Sequence, residues 1–504
     1  MPIRVYNSLT RNKEDFRPLS EGEVNMYVCG PTVYDLSHIG HARSAVAFDV
    51  VYRYLKYKGY RVKYVRNYTD IDDKIINRAN KDGVTSKEIA EKYIKAFDED
   101  MAALGVDLPD FRPKATKTIK DIVEFIEILI DKRYAYVVEK ALSEKERNCD
   151  VYYSVRMFDG YGKLSGKDID ELEAGARVEV DEKKEDPLDF ALWKASKAGE
   201  PYWESPWGKG RPGWHIECSA MSRKFLGDTI DIHGGGRDLI FPHHENEIAQ
   251  SETATGKQFV RYWLHNGFVN IEEEKMSKSL GNILLIRDIL KKFHYEVLRL
   301  FFLSSHYRSP VDYSERNLTD AEAALERVYL TLARIEKNRG QESGVMGQID
   351  EKNLKGIEKD TYEKASNLLN SFEEAMDDDF NTAMAIGHLF DLVRMINRFM
   401  DDKIAARSAN TPAILAVAKN GIEKMAEIFG IFSISPDEYL NVRKEQFLKE
   451  AGLSYSEIEG LISERDEARE QKDFKRADEI RIALDAKGIS LEDTSKGTIW
   501  KTKN

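Results

Sequence analysis

At 504 residues the chain has room for about three domains, and its 42% hydrophobic and 33% charged residues suit packed cores under a solvated surface. No run of about twenty apolar residues exists, so no membrane span is expected, and the start, Met1-Pro2-Ile3-Arg4, lacks the apolar core of a secretion signal. Three cysteines argue against a disulfide framework and for a reducing, cytoplasmic setting; a net charge of −12 excludes a uniformly basic nucleic-acid binder, so any RNA contact needs locally concentrated basic residues.

Val24–Val28 is apolar and predicts a buried strand. His41–Tyr57 follows with a helical rhythm, Ala45, Phe48, Tyr52 and Leu55 on one face; Gly59 stops it, and Val62–Val65 predicts a second strand. Strand, loop, helix and strand make one βαβ unit of a parallel sheet. Its loop carries His38-Ile39-Gly40-His41, where strand ends and a helix N-terminus hold phosphate. Gly40 lets a ligand approach the backbone, and two imidazoles can donate to a phosphate whose charge changes during reaction. Residues 1–112 are thus read as the first half of a sheet, closed by Leu108-Pro109 and Arg112-Pro113.

Residues 113–201 read as an insertion. A helix is expected over about Thr116–Tyr134, with Ile119, Ile122, Val123, Ile126 and Ile130 on one face, then a strand at Cys149–Val155 and a Gly- and charge-rich stretch, Gly160–Pro187. The second half, residues 202–285, contains Trp214-His215-Ile216-Glu217-Cys218 and a strand, Asp231–Gly236, that ends in a turn. A helix with Pro242 in its first turn should end before Gly256, and a strand at Tyr262–Asn270 leads to Lys275-Met276-Ser277-Lys278-Ser279. Glu272, Glu273 and Glu274 suggest an exposed lid, with Gly281 and Asn282 as its exit. After a linker at 286–319, four amphipathic segments, Ala321–Lys337, Thr361–Met376, Thr382–Met400 and Thr411–Phe429, predict a helix bundle over 320–435, with Glu342–Lys359 as a polar connection. A tail, 436–504, begins at Ser435-Pro436 and should hold helices near Tyr455–Gln471 and Lys475–Lys487 and a turn-rich end at Leu491–Trp500. The expected fold is α/β: a Rossmann-type parallel-sheet catalytic domain with an insertion, then an α-helical bundle and a small C-terminal α/β tail.

Cys29, Cys218, His243 and Glu247 form a candidate metal set. On a helix, His243 and Glu247 are four apart and share a face; His244 with Glu247, three apart, is an equal alternative. Two thiolates, an imidazole and a carboxylate suit zinc. The competing reading is a pair of small buried hydrophobes and a wet helix face.

His38-Ile39-Gly40-His41 matches the HIGH signature of class I aminoacyl-tRNA synthetases, and Lys275-Met276-Ser277-Lys278-Ser279 matches the KMSKS signature. With Cys29-Gly30-Pro31-Thr32-Val33-Tyr34-Asp35 and Asn67-Tyr68-Thr69-Asp70-Ile71-Asp72-Asp73-Lys74, the chain resembles the cysteinyl-tRNA synthetases along almost its whole length. The resemblance implies activation of L-cysteine with ATP and transfer to tRNA(Cys). It implies one Zn2+ per chain on Cys29, Cys218, His243 and Glu247, with Cys149 structural. ATP, with Mg2+, would lie against His38, Gly40, His41 and Lys278, and the catalytic set would be His38, His41, Lys275 and Lys278. Thr69, Trp214, His233 and Asp238 would line the amino-acid pocket. The bundle and tail would bind tRNA, the bundle carrying Met376-Asp377-Asp378-Asp379-Phe380-Asn381-Thr382, while Arg469, Asp478 and Asp493 read anticodon bases and Phe474 stacks on one. A cytoplasmic monomer, or a weakly associating one, is expected. Two rivals are a cysteine ligase acting on a small amine, which the long C-terminal region disfavours, and a non-catalytic tRNA-binding paralogue, which intact His38, His41, Lys275 and Lys278 disfavour.

Overall fold

The computed structural model describes residues 2–143, 146–168, 184–271, 274–275, 284–338, 349, 351–494 and 497–502. The chain divides into two compact units: Met1–Leu318 with Asn367–Leu389 and Lys424–Ile431, and Thr319–Ser366 with Phe390–Glu423 and Phe432–Asn504.

In the first unit, a short hairpin of β1 (Arg4–Asn7) and β2 (Asn12–Asp15) precedes β3 (Glu23–Val28), α1 (Ile39–Tyr57) and β4 (Arg61–Arg66). These strands join β5 (Ile230–Gly236) and β6 (Val260–Asn266) in a parallel sheet of spatial order β6-β5-β3-β4, so the chain leaves the sheet after β4 and re-enters at its other side. Val24, Met26, Tyr27 and Val28 are all buried, as expected of a parallel strand covered on both faces. Helix α1 starts two residues earlier than its apolar rhythm suggested, because His38 caps it: the His38 ring accepts from the Gly40 N–H at 3.2 Å and the His41 ring accepts from the His38 N–H at 3.3 Å. This is the reciprocal arrangement that Ser and Glu make in a capping box, made here by two histidines. Deeper along α1, Asp49 pairs with Arg299 at 2.6 Å, both fully buried, and Arg299 also donates to the Phe429 and Leu104 carbonyls at 2.9 and 3.2 Å.

Between β4 and β5 the chain builds an antiparallel sheet of four strands, Ala135–Ser143, Glu146–Tyr153, Phe190–Ala195 and Gly210–Pro212, packed with the helix Ile119–Asp131 around Phe125, Tyr153 and Trp193. Cys149 is buried in that core. The helix expected from Thr116 is split into a turn, Ala115–Lys117, and Ile119–Asp131, because the Thr118 hydroxyl donates to the Lys114 and Ala115 carbonyls and competes with helical pairing. Most of the stretch Gly160–Pro187 lies outside the described residues. The strand expected over Tyr262–Asn270 is two strands, β6 and Val269–Ile271. The break falls at Gly267, where a Cβ would lie 2.2 Å from the Ser309 carbonyl oxygen, so only glycine fits. Val269–Ile271 pairs with Glu274–Lys275 on one side and Val311–Tyr313 on the other.

The four bundle helices are Glu315–Asn338, Gly356–Asp377, Thr382–Asp401 and Thr411–Phe429, each near its expected bounds; much of the connection Glu342–Lys359 lies outside the described residues. In the second unit, Tyr329 stacks on Tyr439 with ring centroids 3.9 Å apart. Tyr439 belongs to a helix, Pro436–Ala451, where the sequence suggested only a boundary. Ser435 caps it and Pro436 occupies its first turn, a start signal rather than a break. Helices Tyr455–Glu470 and Phe474–Ala486 follow, and the segment expected to be turn-rich is a hairpin, Ile489–Thr494 with Gly497–Thr502. Among the described residues no helix is long and apolar enough to cross a membrane.

Candidate metal centre and nucleotide cleft

Cys29 is the first residue past β3, its N–H held by the Gly234 carbonyl at the end of β5 at 3.0 Å. Cys218 lies on the helix Trp214–Leu226. His243 sits in a distorted turn, Ile240–His244, and Glu247 in the first turn of the helix Glu245–Thr255. One donor atom from each of these four buried side chains lies within 4.8 Å of all the others. The sulfurs of Cys29 and Cys218 are 3.7 Å apart, Glu247 Oε1 is 3.4 Å from Cys29 Sγ, and His243 Nε2 is 3.1 Å from the same carboxylate oxygen. An overlapping set replaces Cys218 and His243 with His233 and His244; His233 Nε2 lies 3.4 Å from Cys29 Sγ and 3.5 Å from Glu247 Oε1.

This cluster fits a divalent cation of borderline softness. Two sulfurs and a carboxylate are gathered out of water, and Glu247 Oε2 is buried with no hydrogen-bond partner. Burial opposes ionisation of Glu247, yet the imidazoles of His233 and His243 outweigh it and hold the carboxylate down at about 2. Burial likewise disfavours a charged His243, but Glu247 and Cys218 push it up to about 10. Burial would also hold the proton on Cys218; a hydrogen bond from Cys29 and the facing His243 bring it down to about 6. Cys29, donating to that sulfur, keeps its proton: burial and then its neighbour Cys218 raise it. A metal ion bound here displaces those protons.

Further imidazoles surround the cluster. His215 Nδ1 meets His243 Nδ1 at 3.0 Å, which orients the ring so that Nε2 faces Glu247. His244 Nδ1 meets His265 Nε2 at 2.8 Å. Burial keeps His215, His244 and His265 neutral, His265 down at about 3. His215 lies within a quoted motif, His244 is the sequence's alternative partner for Glu247, and His265 carries no signal of its own; sequence alone does not say which imidazoles meet.

The cluster opens at Cys29 onto a cleft of about 400 Å³, lined also by His38, Gly40, His41, Trp214 and Asp238. The His38 and His41 rings stack at 3.8 Å. In both, Nδ1 accepts a backbone N–H, so the neutral rings carry their proton on Nε2, as donors. Gly30 shares this wall: a Cβ there would lie 1.6 Å from the Asn67 carbonyl oxygen. Of the four residues expected in the amino-acid pocket, Trp214 and Asp238 line the cleft, and Trp214 stacks on His243 at 4.3 Å. Thr69 is buried and donates to Glu217 at 2.9 Å; His233 is buried beside Cys29 and Glu247. Lys275 ends the strand Glu274–Lys275, but its side chain, and Lys278, Gly281 and Asn282 entirely, lie outside the described residues. Beyond them the chain returns to the histidines: Ile39 N–H donates to Leu284 at 2.9 Å and Ile286 N–H to Ser37 at 3.1 Å. The chain that follows the second signature segment therefore runs beside the first.

In the tail, Asp493 accepts from Arg469 at 2.7 Å and from both ends of the Arg465 guanidinium at 2.9 and 3.1 Å, which holds its carboxyl well below the usual range. Asp478 pairs with Arg481 at 3.2 Å, and Phe474 is 63% exposed. Arg469 and Asp493 are thus together, each already serving the other.

The family model described as "tRNA synthetases class I (C) catalytic domain" matches residues 15–323, and a "DALR domain" matches residues 371–433. The Cysteine--tRNA ligase of Geotalea uraniireducens is 55% identical over 504 residues, covering 100% of both chains. That of Thermodesulfovibrio yellowstonii is 55% identical over 502 residues, covering 99% of this chain and 100% of its own. Among solved structures, Mycobacterium tuberculosis methionyl-tRNA synthetase in complex with methionyl-adenylate superposes with a TM-score of 0.64 at 16% identity, covering 86% of this chain and 94% of that one, a likeness of fold.

Proposed function

The chain belongs to the cysteine--tRNA ligases, ATP-dependent enzymes built on the class I tRNA synthetase catalytic domain, and from that premise we propose that it joins L-cysteine and ATP into cysteinyl-adenylate, releasing pyrophosphate, and then transfers the cysteine to tRNA(Cys). The observation that carries this reading is the convergence of Cys29, Cys218, His243 and Glu247 at the cleft that also holds His38, Gly40 and His41.

Cysteine and serine differ by sulfur against oxygen, and size alone separates such side chains by only about 1–3 kcal/mol. Cys29, Cys218, His243 and Glu247 would hold one zinc ion per chain, which would supply an affinity for a thiolate that an alcohol does not match. This set is preferred to the one with His233 and His244 because it offers two sulfurs rather than one. Asp238 supplies negative charge for the α-ammonium, and Trp214 holds His243 in place while walling the pocket; Thr69 and His233 support it from within. In the first step the cysteine carboxylate attacks the α-phosphorus in line and pyrophosphate leaves, so positioning and charge stabilisation carry catalysis and no general base is invoked. His38 and His41 donate from Nε2 at the N-terminus of α1, Gly40 admits the nucleotide to the backbone, and Lys275 and Lys278 neutralise the departing pyrophosphate, with Mg2+ accompanying ATP. The bundle and tail take tRNA, with Arg469, Phe474, Asp478 and Asp493 near the anticodon. The reading is of a cytoplasmic monomer.

Cysteine-dependent ATP–pyrophosphate exchange followed by charging of tRNA tests the whole. Exchange and charging both occurring support it. Exchange without charging would point to a ligase acting on a small amine, and no exchange to a non-catalytic RNA binder.

A further inference from the structure

The acidic run Asp377-Asp378-Asp379 was read from resemblance as part of a tRNA-binding region. Its side chains grip three parts of the catalytic unit. Asp377 accepts from Tyr54 at 2.7 Å and Lys58 at 3.2 Å, at the end of α1. Asp378 accepts from Lys13 of the β1–β2 hairpin at 2.7 Å. Asp379, fully buried, is the most heavily used. Its Oδ1 accepts from the Tyr6 N–H at 2.8 Å and the Tyr307 hydroxyl at 3.0 Å; its Oδ2 accepts from Arg308 Nε at 2.7 Å and lies 3.4 Å from His306 Nε2. The backbone at Asp379 is left-handed, at φ 67°, a conformation that aspartate and asparagine accept more readily than most residues.

The segment it holds backs the cleft. The Gly267 N–H donates to the Tyr307 carbonyl at 2.8 Å, and the backbone of Ser309 stands against Gly267 so closely that no side chain fits. Asn266, Gly267, Phe268 and Val269 line the cleft together with His38, Gly40 and His41. The same segment receives Arg43 of α1, two residues beyond His41, which donates to the Phe302 carbonyl and, at 2.9 Å, to the His306 carbonyl. One buried carboxylate therefore fixes the piece of chain against which both the Asn266–Val269 wall and the histidine-bearing end of α1 rest.

We propose that Asp379 is a positioning residue for the nucleotide side of the cleft, acting through Tyr307 and Arg308 on the Asn266–Val269 wall. The proposal rests on the assignment of that cleft to ATP. It touches none of the four metal donors, so it predicts a split between the two substrates. Displacements of about an ångström in a site where positioning carries catalysis lower rates by up to about 100-fold.

The test is cysteine-dependent ATP–pyrophosphate exchange by the full chain, with D379N and Y307F compared with wild type. Asn keeps the left-handed backbone and one acceptor oxygen but loses the charge opposite Arg308; Phe removes one donor and keeps the ring. The expected result for D379N is a rise of about 10-fold in the KM for ATP or an equal fall in kcat, with cysteine KM and bound zinc unchanged, and Y307F moving the same way by less. Variants that melt at lower temperature but keep both KM values and kcat overturn the proposal, as does a parallel rise in both KM values. If D379N does not fold, Y307F decides by the same criterion. A wild-type chain without exchange would instead remove the cleft assignment, and this proposal with it.

Discussion

Two clusters of polar side chains sit in the two units of this molecule, and they behave oppositely. Around Glu247, two sulfurs, a carboxylate and several imidazoles are shut away from water, with an oxygen left unpaired. Around Asp493, two guanidiniums and one carboxylate meet at the surface, and their hydrogen bonds satisfy one another. The first arrangement is poor on its own and good with a cation in it. The second is complete, but in water its pairs separate easily. The lesson is that a buried cluster commits to one ligand, whereas a surface cluster can exchange its partner for another, such as a base.

The sharpest way to break the comparison is to remove a donor from the buried cluster. Cys218→Ser should abolish stoichiometric zinc and raise the cysteine KM about 100-fold or more, since losing even a residue that only orients a ligand lowers metal affinity or activity by about 10- to 100-fold; metal analysis and exchange kinetics check it. Unchanged cysteine affinity after metal loss would defeat the assignment. Next comes the buried pair of Asp49 and Arg299. Asp49→Asn leaves the guanidinium without its counter-charge and should destabilise the catalytic unit by about 3–5 kcal/mol in denaturant unfolding. Acid titration gives a smaller effect. Burial first, and then Arg308, Lys13 and Arg43, lower His306 from its ordinary 6.5 to about 4, against the pull of Asp379. A histidine held neutral in the fold stabilises above 6.5, and that stability is lost as pH falls from about 6.5 through about 4; His306→Gln should flatten this part of the stability curve. The least effect belongs to the surface cluster. Asp493→Asn should change stability by about 0–1 kcal/mol and leave pyrophosphate exchange unaltered, while raising the KM for tRNA in charging.

Much of the architecture was legible in the sequence because it is periodic. The βαβ unit and the four bundle helices follow from apolar spacing, and their bounds differ by a few residues where a cap decides, as at His38. What escaped was structure decided by single residues or by distant partners. The strand ending near Asn270 breaks at Gly267 because Ser309 is pressed against it. The helix Pro436–Ala451 was hidden because Ser435-Pro436 looks like a boundary, although Ser at the cap and Pro after it begin helices. The grip of Asp379 on Tyr6 joins residues at opposite ends of the catalytic unit's sequence, and no local pattern records it. Within the site, the family motifs named the four donors that the structure brings together. They contain His215 without showing that its ring meets His243, and they do not contain His265, whose ring meets His244. Lys278 has no described position, so the lysine side of the cleft rests on sequence.

X-ray absorption at the zinc edge of the purified enzyme, with and without L-cysteine and with L-serine as control, tests the central claim most directly. The account predicts zinc with two sulfur neighbours in the free enzyme, a third on adding cysteine and no change on adding serine. Absence of zinc, or a sulfur count indifferent to cysteine, would contradict it.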